Sequence, residues 1–234
     1  MDALISAGLV RIFIGLEAAT QNMLDKLYKR LSKKTMSDTL SWLLTKNIDV
    51  EISFINFLPF NSIRDIKENV LFFSQWGLDI LRSLGNRLKP YPGTFLHDAL
   101  KREGIYKRDG FFYDYVKNNV DSRVDTLYEI IQPLIPFFSL VSHKLQSVKS
   151  LLWREKEIIR DFNFFHEQLL SLQNKIVCEM KDIFLFLTEE LEKIQKVDIN
   201  NFRNVVYQDV IKKSEWWLSI LLEIKKHMKK EFIL

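Results

Sequence analysis

The sequence predicts an α/β segment followed by an all-α segment. Three observations carry this. Short β-rich runs alternate with helical patterns in the first part of the chain, the order that builds a parallel sheet. No glycine follows Gly110 and no proline follows Pro136, and these are the strongest breakers of regular structure. Beyond them, apolar residues recur at helical spacing. The boundary falls near residues 120 to 142, which gives units 1–120 and 121–234. Charge does not change across it, so the breakers alone set it.

Each element has a local reason. Val10 to Ile14 is a β-rich run ending at Gly15. Met23, Leu24, Leu27 and Leu31 then follow helical spacing. Thr35 or Ser37 is placed to cap a second helix through Leu40, Leu43 and Leu44. Ile48 to Ile55 is a second strand candidate. Ser62 with Asp65 three positions on is in capping-box register for a helix that stops at Gly77. Ile80 to Leu88, broken by Gly85, is a third strand candidate. Pro90-Tyr91-Pro92-Gly93 is a turn, and Thr94 caps a short helix ending at Gly104. Asp121 to Val141 is helical with interruptions at Pro133 and Pro136. A long helical stretch runs from His143 to about Lys196, and Asn200 and Asn201 start the last helix.

Composition excludes several classes. Of 234 residues, 47% are hydrophobic, enough for a packed core and against wholesale disorder. Cys178 is the only cysteine, so a disulfide scaffold and a multi-cysteine metal site are both excluded. Lys and Arg total 34 against 30 Asp and Glu. That mild excess permits an acidic partner without arguing for one. No apolar run approaches the ~18–20 residues of a membrane span, and Met1 to Gly8 lacks the features of a signal peptide. With one unpaired cysteine, these readings place the chain in the cytoplasm.

Three segments carry chemistry. In Gly15-Leu16-Glu17 a glutamate follows an apolar strand, at the sheet edge where parallel α/β folds bind ligands. Its carboxylate suits a ribose diol or an amine; by residue type alone, a solvated turn glutamate or a cap for the helix near Thr20 is the favoured account. In Phe54 to Ser62 a strand runs into a turn and a capped helix. Backbone groups there suit a flat ring, and plain packing of two phenylalanines and a leucine is the simpler account. In Asn86 to Thr94 two cations and a tyrosine flank a rigid turn, either to meet an anion or as a solvated rim.

The order and spacing of these segments resemble the second half of a radical S-adenosylmethionine enzyme core, over about residues 1 to 116. Gly15, Glu17, Leu24 and Lys29 match a Gly-x-Glu strand end followed by a Leu-x-x-x-x-Lys helix. Phe54, Ile55, Pro59, Asn61 and Ser62 match a Phe-Ile-x-x-x-Pro strand and a polar pair opening a helix, and Pro92, Gly93 and Thr94 match the turn after it. The closest branch is the one whose members often carry an upstream cobalamin-binding domain. The resemblance implies a half TIM-type barrel, followed here by the helical domain. It also implies roles. Glu17 would contact the ribose or methionyl end of S-adenosylmethionine, and Lys29 would lie near its carboxylate, where a compact ammonium suits a point contact. Asn56, Phe57 and Leu58 would border the adenine, and Arg87 and Tyr91 would face substrate.

The departures shape the expectation. The family's Cys-x-x-x-Cys-x-x-Cys loop, which holds a [4Fe-4S] cluster, is absent, and Cys178 lies in the helical part. Phe57 and Phe60 replace small residues of the family's turn. The chain therefore reads as a C-terminal part, inactive alone, whose partner is an N-terminal half or a subunit carrying the cluster. The competing class is a non-catalytic helical interaction protein, or a remnant of such an enzyme, that docks partners through Trp216-Trp217 and Phe162-Phe164-Phe165. His97, His143, His166 and His227 lack metal-ligand spacing. The basic tail, Lys225-Lys226-His227-Met228-Lys229-Lys230, is flanked by Glu223 and Glu231. It reads as a helix C-terminus complementing the macrodipole rather than as a strong nucleic-acid signal.

Overall fold

A computed structural model describes residues 1–46, 48–109, 112–115, 120–193 and 199–231. Gly110 and Lys196, which figure in the sequence reading, lie outside them. The chain is mostly helical with a small two-stranded parallel sheet. A short helix α1 (Asp2–Ser6) leads into β1 (Arg11–Glu17), followed by α2 (Gln21–Lys26), α3 (Lys33–Leu44) and β2 (Asp49–Phe54). β1 and β2 pair in parallel from Arg11 opposite Asp49 to Ile14 opposite Ile52, with a register shift between Gly15 and Glu17. The cap of α3 is Ser32, whose hydroxyl accepts from the Thr35 amide, rather than Thr35 or Ser37. Thr35 is thus the donor of the first turn.

Then come α4 (Ile63–Ser74), α5 (Leu81–Leu84) and α6 (Phe95–Arg102). The Ser62–Asp65 capping box forms as the sequence indicates, and Thr94 caps α6 by accepting from the His97 amide. The Ile80–Leu88 candidate is not a strand. Asp79 accepts from the Leu81 amide and opens α5 instead. Ile80, Leu81 and Leu84 are buried at helical spacing. What remains of a third strand is a single parallel bridge between Phe57 and Arg87. A hairpin of β3 (Tyr106–Asp109) and β4 (Phe112–Tyr115), which no sequence signal announced, precedes the helical part.

The helical part is α7 (Ser122–Ile131), a 3₁₀ turn (Gln132–Leu134) at the first proline, α8 (Ile135–Arg154), α9 (Phe162–Lys193) and α10 (Ile199–Lys230). The stretch expected as continuous from His143 breaks after Arg154, with no glycine or proline there. Ring contacts set the sense of the pair. Trp153 meets Phe162 and His166, and Phe138 meets Phe184, so α9 runs back along α8. α4 packs on α9, tied by Lys67 to Glu189 at one end. At the other end Gln173 donates to the Gly77 carbonyl at 2.6 Å. Gly77 has φ +64, which glycine adopts without strain, and the Asn174 side chain fills the space where a Cβ would lie. The 122–154 stretch is long and apolar enough to cross a membrane by length and composition. Val124, Leu127, Leu145 and Leu152 along it are buried in the core, while Leu140 is exposed.

One hydrophobic cluster runs from Leu16 through Phe57, Phe73 and Leu127 to Trp217 and Met228, so sheet and helices share a core. A buried polar network crosses it. Asp49 pairs with Arg11 at 2.6 Å and with Lys149, and Lys149 also donates to Gln173 at 3.1 Å. Nearby, Asp79 accepts from Ser142 at 2.5 Å and from Gln146 at 3.3 Å.

Candidate functional site

The sequence-predicted residues gather, with one exception, at the C-terminal end of the sheet. Glu17 ends β1, and its carbonyl accepts from the Ile55 amide at 2.8 Å. The carbonyl of Asn86 accepts from the amides of Asn56 and Phe57, and the carbonyl of Phe57 accepts from Leu88. Glu17, the Ile55–Leu58 turn and Arg87 therefore lie side by side. Tyr91 stands apart on the following turn, 71% exposed.

The geometry of Glu17 is unusual. The non-glycine residues with positive φ among the described residues are Glu17 (φ 70) and Tyr28 (φ 56). They flank one contact, the Glu17 Oε1 to Lys29 Nζ ion pair at 2.9 Å. Tyr28 ends α2 in left-handed conformation, and the Lys29 amide donates back to the Leu24 carbonyl at 2.9 Å, a helix stop that normally uses glycine. The Glu17 carboxylate folds back over β1. A Cβ at Gly15 would meet its Oε1 at 2.9 Å, so Gly15 makes the space it occupies. A left-handed non-glycine residue costs of order 1–3 kcal/mol. An ion pair of this exposure, 21% for Glu17 and 41% for Lys29, returns about 0–1 kcal/mol. The pair does not repay the strain, and strain held by its surroundings is a mark of a working site.

Around it, Tyr28 and Phe95 stack edge to face with centroids 4.6 Å apart, and both are exposed. They form an aromatic rim beside Lys29.

Asn56, Phe57 and Leu58 are fully buried. Asn56 donates to the Leu84 carbonyl at 3.2 Å, and its own carbonyl accepts from Asn61. The Leu58 amide donates to Asn61 Oδ1. This turn is a finished polar scaffold, and its three residues lie beneath the surface with their hydrogen-bonding groups engaged inside the chain. Phe57 meets Tyr128 edge to face at 5.0 Å, and the Arg87 guanidinium lies 4.7 Å from the centroid of the same tyrosine. Arg87 thus ties the sheet end to α7.

Sequence reasoning missed Asn69, Tyr28 and Tyr128. Asn69 is buried on α4, and its Oδ1 accepts from the Ala19 amide at 2.8 Å, holding the chain just after Glu17. Its signal was a polar residue on an otherwise apolar face, beside Ile66, Val70 and Phe73. Among the described residues no group of three or more His, Cys, Asp or Glu is placed to hold a metal, and Cys178 is exposed on α9. The donor set does not fit an iron–sulfur cluster.

No protein family matches the sequence, and no curated protein matches it. Among solved structures, the fold is shared with part of a cobalamin-dependent S-adenosylmethionine radical enzyme. That enzyme is OxsB. The chain is similar to its form with aqua-cobalamin and S-adenosylmethionine bound (14% identity, TM-score 0.55). It is similar also to the form with aqua-cobalamin bound (16% identity, TM-score 0.54) and to the apo form (14% identity, TM-score 0.54). Each likeness covers 97% of this chain and 42% of the OxsB chain.

Proposed function

We propose that this chain is the C-terminal portion of a radical S-adenosylmethionine enzyme of the cobalamin-associated kind. In this reading residues 1–120 are the second half of a partial barrel, and residues 121–234 are a helical domain facing substrate. The single observation that carries it is the strained Glu17–Lys29 pair at the C-terminal end of β1. It stands where parallel α/β folds bind ligands, in a chain whose fold is shared along 97% of its length with part of OxsB.

The residues present fit one end of S-adenosylmethionine. Lys29 offers a cation to the methionyl carboxylate. Glu17 accepts from the ribose hydroxyls or the amino group once its contact with Lys29 opens. Asn56, Phe57 and Leu58, fully buried themselves, support the adenine side from beneath, and Arg87 and Tyr91 belong to the substrate side. The cluster that cleaves S-adenosylmethionine reductively belongs to a partner segment or subunit. β1 is an edge strand of the sheet, and an unpaired edge is a template for such a partner. Cobalamin, where present, belongs there too. The chain supplies positioning, and the cofactors supply the radical chemistry.

The test is a binding measurement on the complex. The chain joined to its cluster-bearing partner should bind S-adenosylmethionine. Glu17→Asn, which keeps the left-handed backbone readily, should weaken binding about tenfold or more, the size of one lost charge-assisted contact. Unchanged binding in Glu17→Asn would remove the assignment.

A further inference from the structure

At the opposite end of the sheet, where β1 begins, lies a cleft of about 800 Å³. Its floor is Arg11 and Gln146. One wall is α8, which presents His143, Ser147, Ser150 and Arg154 at helical spacing. The other wall carries Lys225 and Lys229 of α10 at i, i+4, and Arg82 closes one side. The carboxylates facing it are Glu51 and Glu155. Glu51 lies 3.7 Å from Arg82, and Glu155 lies 2.6 Å from Arg154. Arg11 is held by Asp49, but Asp49 already neutralises buried Lys149. Five cations therefore face two carboxylates, and Lys225 and Lys229 make no ion pair among the described residues.

A second observation points to a ligand. Gln146 is 9% exposed, and its Oε1 has no hydrogen-bond partner. Its Nε2 is fixed on Asp79 at 3.3 Å, so the acceptor is the end of the amide left unsatisfied in a residue that lines the cleft. A buried acceptor left open costs stability unless something donates to it. The volume lies within the roughly 300–1,000 Å³ of small-molecule sites.

We propose that this cleft binds a small phosphate ester carrying a free hydroxyl. Lys225, Lys229 and Arg154 meet the phosphate, the Ser147 and Ser150 hydroxyls donate to its oxygens, and Gln146 Oε1 accepts from the ester's hydroxyl. A cation-lined wall alone would take any anion. The open acceptor at its floor is what selects a donor-bearing one. The site lies a strand's length, about 20 Å for β1, from Glu17, and the proposal does not depend on the radical-enzyme reading.

Calorimetric titration of the purified chain at physiological ionic strength tests it, with glucose 6-phosphate, pyrophosphate and glucose as probes. Glucose 6-phosphate should bind and pyrophosphate should bind more weakly, while glucose should not bind. The double variant Lys225→Gln/Lys229→Gln, changed at residues outside the core, should lose about tenfold or more for both phosphates. Gln146→Leu should lower glucose 6-phosphate affinity and leave pyrophosphate unchanged. Should Gln146→Leu fail to fold, Ser150→Ala reports the phosphate contact alone. Phosphate binding unaffected by the lysine changes would overturn the proposal. So would binding of duplex DNA or phosphatidic acid vesicles with no binding of the small probes.

Discussion

Glu17 and His166 show how single side chains report on this fold. Glu17 sits at φ 70, a conformation that asparagine tolerates and a β-branched residue does not. Glu17→Asn should therefore leave the urea midpoint nearly unchanged, while Glu17→Val should destabilise by about 1–2 kcal/mol. Equal stability of the two variants would show that the backbone is relaxed there. His166 stacks on Phe162 at 5.6 Å and meets Trp153 edge to face. Burial holds its pKa below the ordinary histidine value, and the Lys149 charge adds to this; Asp49 and Glu167 partly oppose it. The unfolded chain takes up its proton near about 6.5, and the folded chain only at lower pH. Between those values the unfolded state binds more protons, so stability rises with pH and levels off above the unfolded value. Denaturation of wild type and His166→Phe across this window should show that slope in wild type and a shallower one in the variant. The importance of His166 was not readable beforehand, because its partners come from a helix hairpin that no breaker residue marks.

Elements were legible where their own residues close the hydrogen-bonding account. The Ser62 capping box and the Thr94 cap are local patterns, and both form. Ile80–Leu88 was misread because apolar β-branched and leucine residues fit either period over a short run. The decision came from Asp79, which opens a helix, and from Ser83, whose hydroxyl accepts from the Phe54 amide. The break between α8 and α9 is likewise tertiary, with Ile159 buried in the turn. Asp121 joins two elements. It caps α7 through the Arg123 amide and accepts from the Ile63 amide at the start of α4, at 2.9 Å. Burial pushes its carboxyl up, but the Arg123 guanidinium and the two amides outweigh this and leave it below the usual range. Its contribution is thus present at neutral pH and is lost as pH falls through the lowered value. Asp121→Ala should cost about 1–2 kcal/mol at neutral pH, read from chemical denaturation, and the deficit should shrink in acid. A cost that persists undiminished in acid would point to packing instead.

On the scale of the molecule, the sheet and helices are joined by a shared core and by the buried Arg11–Asp49–Lys149–Gln173 network. Asp49 serves two cations. Asp49→Ala strands Lys149 without a carboxylate, and removing one partner of a buried pair costs about 3–5 kcal/mol. Lys149→Met leaves Asp49 paired with Arg11, so it should cost distinctly less in the same denaturation experiment. The reverse order would mean that Lys149 and not Asp49 anchors the network.

That a small parallel sheet precedes a long helical stretch was legible from breakers and periodicity. The strain at Glu17 and Tyr28 was not, because left-handed backbone at non-glycine positions leaves no mark in residue type. Nor was the cleft at the other end of the sheet, whose walls come from helices far apart in sequence. We propose that this chain works as one part of a radical S-adenosylmethionine enzyme. The most direct test is to isolate the chain anaerobically from its native lysate and measure bound iron and reductive cleavage of S-adenosylmethionine. The expected result is an iron-containing partner and cleavage that falls in Glu17→Asn. A chain that comes out without iron and without cleavage, or one that assembles its own cluster and cleaves S-adenosylmethionine alone, would contradict it.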